Sequence, residues 1–171
     1  GDKRGLYREV LQLAAEALRS TTEAAKEGAA GCPADEKLRR FVQVHLRRML
    51  GVERDNWIHR LISREMADPT PALDTLVDHG LRPRLEYVSS IVADILGCPP
   101  QDPRVLRSVI SVQTQAAAYL PNAIGARIGL KAKLTAAEID EVARHIAEFS
   151  LGGIRALGRT AEISPGTEAE S

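Results

Sequence analysis

The stretch Thr135-Ala136-Ala137-Glu138-Ile139-Asp140-Glu141-Val142-Ala143-Arg144-His145-Ile146-Ala147-Glu148-Phe149-Ser150-Leu151-Gly152-Gly153-Ile154-Arg155-Ala156-Leu157 decides the fold. It opens on a capping box: the Thr135 hydroxyl takes the N–H three residues on, and Glu138 reaches back to the N–H of Thr135. Ile139, Val142, Ala143, Ile146, Phe149, Gly153, Ile154 and Leu157 then recur every three or four residues, one apolar stripe of an α-helix. Gly152, Gly153 and Ala156 gather at its end, where small side chains let another helix come close.

The same period runs through the rest of the chain. Toward the N-terminus, a helix over 103–120 carries Val105, Val109, Ile110, Gln113, Ala116, Ala117 and Leu120 on one stripe. Val112 and Tyr119 lie on another side of it, so more than one of its faces is expected to be buried. Residues 123–130 offer a short turn of helix. Before the break at Cys98-Pro99-Pro100 lies a long helix over 71–96, with Gly80 and Pro83 in its middle. Pro83 removes a donor and crowds the carbonyl four residues back, which predicts a kink near 78–81. Asp68-Pro69-Thr70-Pro71 separates that helix from one over 56–67, striped by Trp57, Ile58, Leu61, Ile62 and Glu65. Leu38, Phe41, Val42, His45, Leu46 and Met49 share one face of a helix over 34–50, and Arg39, Arg40, Arg47 and Arg48 project elsewhere, toward solvent. A first helix spans 2–28, with Asp2 as its N-cap and Gly28, Gly31 and Pro33 closing it. No repeat and no strand pattern interrupts this reading: an all-α bundle of about six main helices over 1–158, followed by a polar, acidic, flexible tail at 159–171.

Composition bounds the function. The chain has 171 residues, enough for one domain with a sizeable core, and only 4% are aromatic, so Leu, Ile, Val and Ala must build that core. Its 23 basic and 23 acidic side chains give a formal net charge of zero, which argues against an independent nucleic-acid binder. Cys32 and Cys98 are far apart and make neither a disulfide framework nor a zinc motif. No apolar run approaches the ~20 residues needed to cross a bilayer, and the N-terminus leads into an amphipathic helix instead of a signal-peptide core. A cytoplasmic protein without a membrane partner is expected.

Catalytic patterns are absent. Inward Glu-x-x-His pairs, the mark of di-metal bundles, do not occur; Glu138, Glu141, His145 and Glu148 share the face opposite the apolar stripe and read as solvated. There is no phosphate loop and no nucleophile elbow. The expectation is therefore no enzyme, no metal and no cofactor. Polar groups on apolar faces are more informative. His45 sits between Val42 and Met49 as a core histidine or as a group that meets a ligand. Gln113 needs hydrogen-bond partners from protein or ligand, and Glu65 is expected to pair with Arg60, Arg64 or another arginine. Trp57 and Tyr87 are large, each with one polar handle, and serve as core or as ligand wall.

The opening, Gly1-Asp2-Lys3-Arg4-Gly5-Leu6-Tyr7, resembles the junction of TetR-family regulators, where a Phe-Gly-x-Lys-x-x-Leu stretch joins a helix-turn-helix head to the regulatory domain. Trp57-Ile58-His59-Arg60-Leu61-Ile62, Pro69-Thr70-Pro71-Ala72-Leu73-Asp74, Arg82-Pro83 and His145-Ile146-Ala147-Glu148-Phe149 are similar to the C-terminal domain of the CerR/CecR-type branch. The resemblance covers about 1–158 and implies a homodimer whose last two long helices, 103–120 and 135–157, pair with their twins. Val112, Tyr119, Ile146, Phe149, Gly153 and Ile154 are the interface candidates it suggests. It also implies a small, mainly apolar effector, for which His45, Met49, Trp57, Leu61, Tyr87, Gln113 and Ala117 are the candidate contacts. Lys3 would then touch a DNA phosphate. The head that precedes such a junction, and the phenylalanine before Gly1, are absent from these 171 residues. DNA is therefore expected to be a partner only through that missing head. A rival reading is a helical dimerising scaffold that carries no DNA-binding head.

Overall fold

A computed structural model describes residues 2–51 and 56–162. The molecule is all-helical, with no strand among those residues. α1 (Lys3–Glu27), α2 (Ala34–Leu50), α3 (Asn56–Ala67), α4 (Leu73–Leu76), α5 (Arg82–Leu96), α6 (Pro103–Ala117), α7 (Ala123–Arg127) and α8 (Ala136–Glu162) follow in order. Asp2 caps α1 through the Arg4 N–H at 3.1 Å. The capping box of α8 forms as read, Thr135 N–H donating to Glu138 Oε2 at 2.8 Å and Glu138 N–H to Thr135 Oγ1 at 3.3 Å. α8 continues to Glu162, so 159–162 are helical where a tail was expected; 163–171 lie outside the described residues.

The kink expected around Pro83 takes a definite form. Between α4 and α5, Val77–Leu81 make a π-helical turn, in which the Arg82 N–H donates to the Val77 carbonyl. Widening the helix by one residue accommodates a proline that cannot donate to the turn behind it. Gly80 lies in that turn and is buried against α1: a Cβ there would stand 2.9 Å from Ala15 Cα. Only glycine lets the two backbones meet this closely. At the other end of α5, Gly97 takes the left-handed conformation (φ 65°) that stops the helix.

Two apolar clusters result. The larger joins α2, α5, α6 and α8 around Leu38, Phe41, Leu46, Ile91, Ile146 and Leu151. The smaller joins the first part of α1 to α3 and α4 through Leu11, Ala14, Leu18, Ile58, Leu61 and Leu76. Arg39 and Arg47 are not simply solvated: Arg47 forms a two-pronged pair with Asp140 (2.7 and 2.7 Å) and Arg39 pairs with Glu148 at 2.7 Å, tying α2 to α8. Arg155 and Asp35 make a third such pair.

Candidate functional site

Where the two clusters meet, α1, α2, α3 and α5 leave a small cavity. Ala17, Leu18 and Thr21 of α1 form one wall, Met49 and Ile58 add apolar surface, and His45, His59 and Arg84 supply polar groups. About 20 Å³ of it is open to water centres, room for a single water. The His45 ring stacks on Phe41 at 5.8 Å between centroids and lies 6.4 Å from the His59 ring. Burial first, then the charge of Arg84 and the neighbouring His59, hold the His45 pKa well below the usual histidine value. His59 is pulled down to about 4 by burial and by Arg84. Both rings are therefore neutral at pH 7, leaving the buried Arg84 and the exposed Arg48 as the charged groups of the lining. The Arg84 guanidinium centre lies 5.4 Å from the Phe41 ring.

The sequence candidates divide. His45 and Met49 line this cavity. Tyr87 packs one layer away, edge-on to Phe41 at 6.2 Å, with Lys26 over its other side. Leu61 belongs to the smaller cluster instead. Trp57 is 39% exposed and lines none of these walls, because α3 turns Ile58 and Leu61 inward. Gln113 is half-buried and Ala117 exposed on α6, and neither lines the cavity. Arg84 and His59 were not anticipated. Arg84 had a legible signal, since it falls four residues before Val88 and seven before Ile91, on the buried stripe of α5. His59 had none, because only the packing of α3 against α2 brings it to His45.

A larger cleft of about 340 Å³ lies beyond Met49, bordered by Leu50, Arg60, Tyr119 and residues 131–134. Tyr119 faces this cleft. Of the other interface candidates, Val112, Ile146 and Ile154 are buried in the protomer's own core and offer no surface to a partner. Phe149 and Gly153 do lie outside: Phe149 is 67% exposed, and nothing stands within 4 Å of a Cβ placed on Gly152 or Gly153. Leu106 and Ile110 of α6 are likewise exposed.

At the far end of α1 a second polar assembly forms. Glu65, expected to meet an arginine, is 1% exposed and instead accepts hydrogen bonds from the Tyr7 hydroxyl and from the Thr70 N–H (3.0 Å) and hydroxyl (3.1 Å). Burial pushes its carboxyl up, but these donors together outweigh burial and hold it below the usual range. Arg64 lies over the Tyr7 ring at 5.1 Å. Lys3 is exposed one turn before Tyr7. No group of His, Cys, Asp or Glu suited to a metal occurs among the described residues, Cys32 and Cys98 are free thiols, and no helix there is long and apolar enough to cross a membrane.

This fold, with its sequence, is that of the C-terminal regulatory region of a TetR-type transcriptional regulator, a non-enzymatic class. Residues 34–154 match the family described as HTH-type transcriptional dual regulator CecR, C-terminal domain, and the chain belongs to that family. No curated protein matches it.

Proposed function

We propose that this domain binds a small, mainly apolar effector and, as a homodimer, passes its occupancy to a DNA-binding head attached ahead of α1, releasing DNA as a repressor does. The observation that carries this reading is that α1 serves two ends. Its middle, Ala17, Leu18 and Thr21, is a wall of the cavity, and its start holds Lys3 and the Tyr7–Glu65 clasp. The family match begins at α2, so the junction role of α1 rests on its resemblance to TetR junctions. A ligand that presses on α1 changes the path along which a head would be held, and ~1–3 kcal/mol of coupling is enough to change affinity from several-fold to over a hundredfold.

Dimerisation uses the outer faces of α6 and α8. Leu106 and Ile110 of α6 and Phe149 of α8 are exposed, and space is open at Gly152 and Gly153; a two-fold axis would set these residues against their own copies. Light scattering on the wild type should give twice the 18.6 kDa protomer, and Phe149→Glu should shift it toward the monomer. A monomeric wild type, or a variant as dimeric as the parent, removes this assignment. For sensing, native mass spectrometry should find a retained small molecule, and that molecule should release operator DNA from a version carrying its head.

A further inference from the structure

Arg84 is a buried cation whose partner is missing from the described residues. The residue is 4% exposed, and its Nε and Nη2 are buried without a hydrogen-bond partner there. Those two nitrogens form the side edge of the guanidinium, which donates two parallel N–H groups to one carboxylate. Elsewhere in this molecule that edge is used for carboxylates. Arg47 gives Nε and Nη2 to Asp140, Arg39 gives them to Glu148, and Arg104 gives them to Asp102. Arg84 alone among these four holds the edge inside the protein, and the residue lines a cavity that has no carboxylate among its described lining residues. Burial lowers its pKa only to about 10, so it stays charged at neutral pH. A full charge in such surroundings is unfavourable unless something answers it.

We infer that Arg84 is the seat of an acidic group on the effector, a small organic monocarboxylate held side-on by Nε and Nη2. This rests on the sensing role proposed above and names the chemical class of the ligand. Arg84 is the buried cation of this lining and Arg48 the exposed one, and one buried cation answers one negative charge, which favours a monoanion over a phosphate dianion. Neutral His45 and His59 each carry one N–H to complete the carboxylate's hydrogen bonds. The cavity as it stands has room for one water, so its walls must part to seat the ligand, whose apolar remainder would then run along Met49 and Ile58. Met49 is also the wall shared with the 340 Å³ cleft, and an unbranched, adaptable side chain there can shift to admit it.

The test compares benzoate and octanoate with benzamide and octanamide, and with inorganic phosphate, by calorimetry and thermal unfolding of wild type and Arg84→Met. The acids should bind at least tenfold more tightly than their amides to wild type, phosphate should bind weakly, and Arg84→Met should remove the preference for the acid. Without any ligand, Arg84→Met should melt no lower than wild type, since an apolar chain of similar length replaces an unanswered charge. Equal binding of acids and amides overturns the inference, as does phosphate binding more tightly than the acids. So does a ligand-free Arg84→Met that melts well below wild type, because the arginine would then have its partner inside the molecule. If none of the acids binds, this last comparison decides. Acids that bind through Arg84 but never release DNA would sink the sensing role and leave the seat; a neutral effector released by the protein would do the reverse.

Discussion

The body of α2, α5, α6 and α8 and the junction part of α1, α3, α4 and the π-turn are both helix packed on helix, but they are held together differently. In the body, long aliphatic side chains fill the interior and the arginine–carboxylate pairs sit on the rim. Exposed pairs of that kind contribute ~0–1 kcal/mol each, so apolar burial carries the body. The junction has fewer large side chains. It relies on a glycine pressed to a helix backbone and on a buried carboxylate clasped by a tyrosine and a threonine. Close approach and hydrogen bonds have sharp geometric optima, whereas burial of an aliphatic face tolerates small shifts. The body is thus a packing that tolerates small shifts and the junction one with sharper geometric demands, and the Arg84 cavity lies on the seam between them.

The largest effect should separate them outright. Leu46 is fully buried in the body, and Leu46→Ala should cost about 2–5 kcal/mol in urea unfolding, a large part of a typical domain's stability. Leu61, 8% exposed in the junction, should cost less when cut to alanine. Its loss should appear in hydrogen exchange as faster opening of α1 and α3, with the amides of α8 still protected. Equal global losses for the two variants would mean that the parts unfold as one and that the distinction is only geometric.

Next in size is a glycine contrast. Gly80→Ala sets a methyl 2.9 Å from the Ala15 backbone, which no side-chain rotation relieves, and should destabilise by about 1–3 kcal/mol through displacement of α1. Gly152→Ala puts the same methyl into open space within a helix and should be neutral or up to ~1 kcal/mol stabilising in the isolated protomer. If Gly80→Ala is as mild as Gly152→Ala, α1 is not fixed by the π-turn.

This contrast also explains what could be read from the sequence. The body and its helices were legible because aliphatic residues at 3.6-residue spacing are a local signal, as along Ile139, Val142, Ala143 and Ile146. Pro83 and Gly80 marked the kink for the same reason, though not its π-helical form. The outer and inner faces of α8 were not separable, because Ile146, buried in the protomer, and Phe149, left exposed, continue one apolar pattern. The periodicity records that a face is apolar and is silent on whether the protomer or another surface covers it. The seam was least legible. His45 was singled out from its own helix, but its neighbour His59 and the clasp of Tyr7 on Glu65 depend on contacts between distant segments.

The smallest and most selective effect is one of pH, and it acts on the seam. The folded-state pKa of His45 lies well below 6.5, with burial as the largest cause, and Arg84 and His59 add to the shift. An unfolded chain takes up a proton at His45 as pH falls through about 6.5, and the folded chain does not. Protons then favour the unfolded state, so stability must fall with falling pH, by up to about 1.4 kcal/mol per unit for this one group. His59 extends the same loss down to about 4. Glu65 is shifted in the same direction, its carboxyl lowered, but it contributes its own loss only as pH falls below about 4.5, where an unfolded glutamate protonates. The window between 6.5 and 4.5 therefore belongs chiefly to the histidines. Among the described residues, Arg84, Arg48 and His59 are the charged or titratable groups that line the cavity with His45, with Thr21 and Met49 beside them and no carboxylate in that lining. Urea midpoints across that window should slope downward with acid for the wild type and flatten for His45→Gln. Hydrogen exchange should place the acid-induced opening in α1 and α3 before α6 and α8. Parallel slopes for the two proteins would show that the seam does not govern acid stability. Opening that begins in α8 would show that the body, not the junction, yields first.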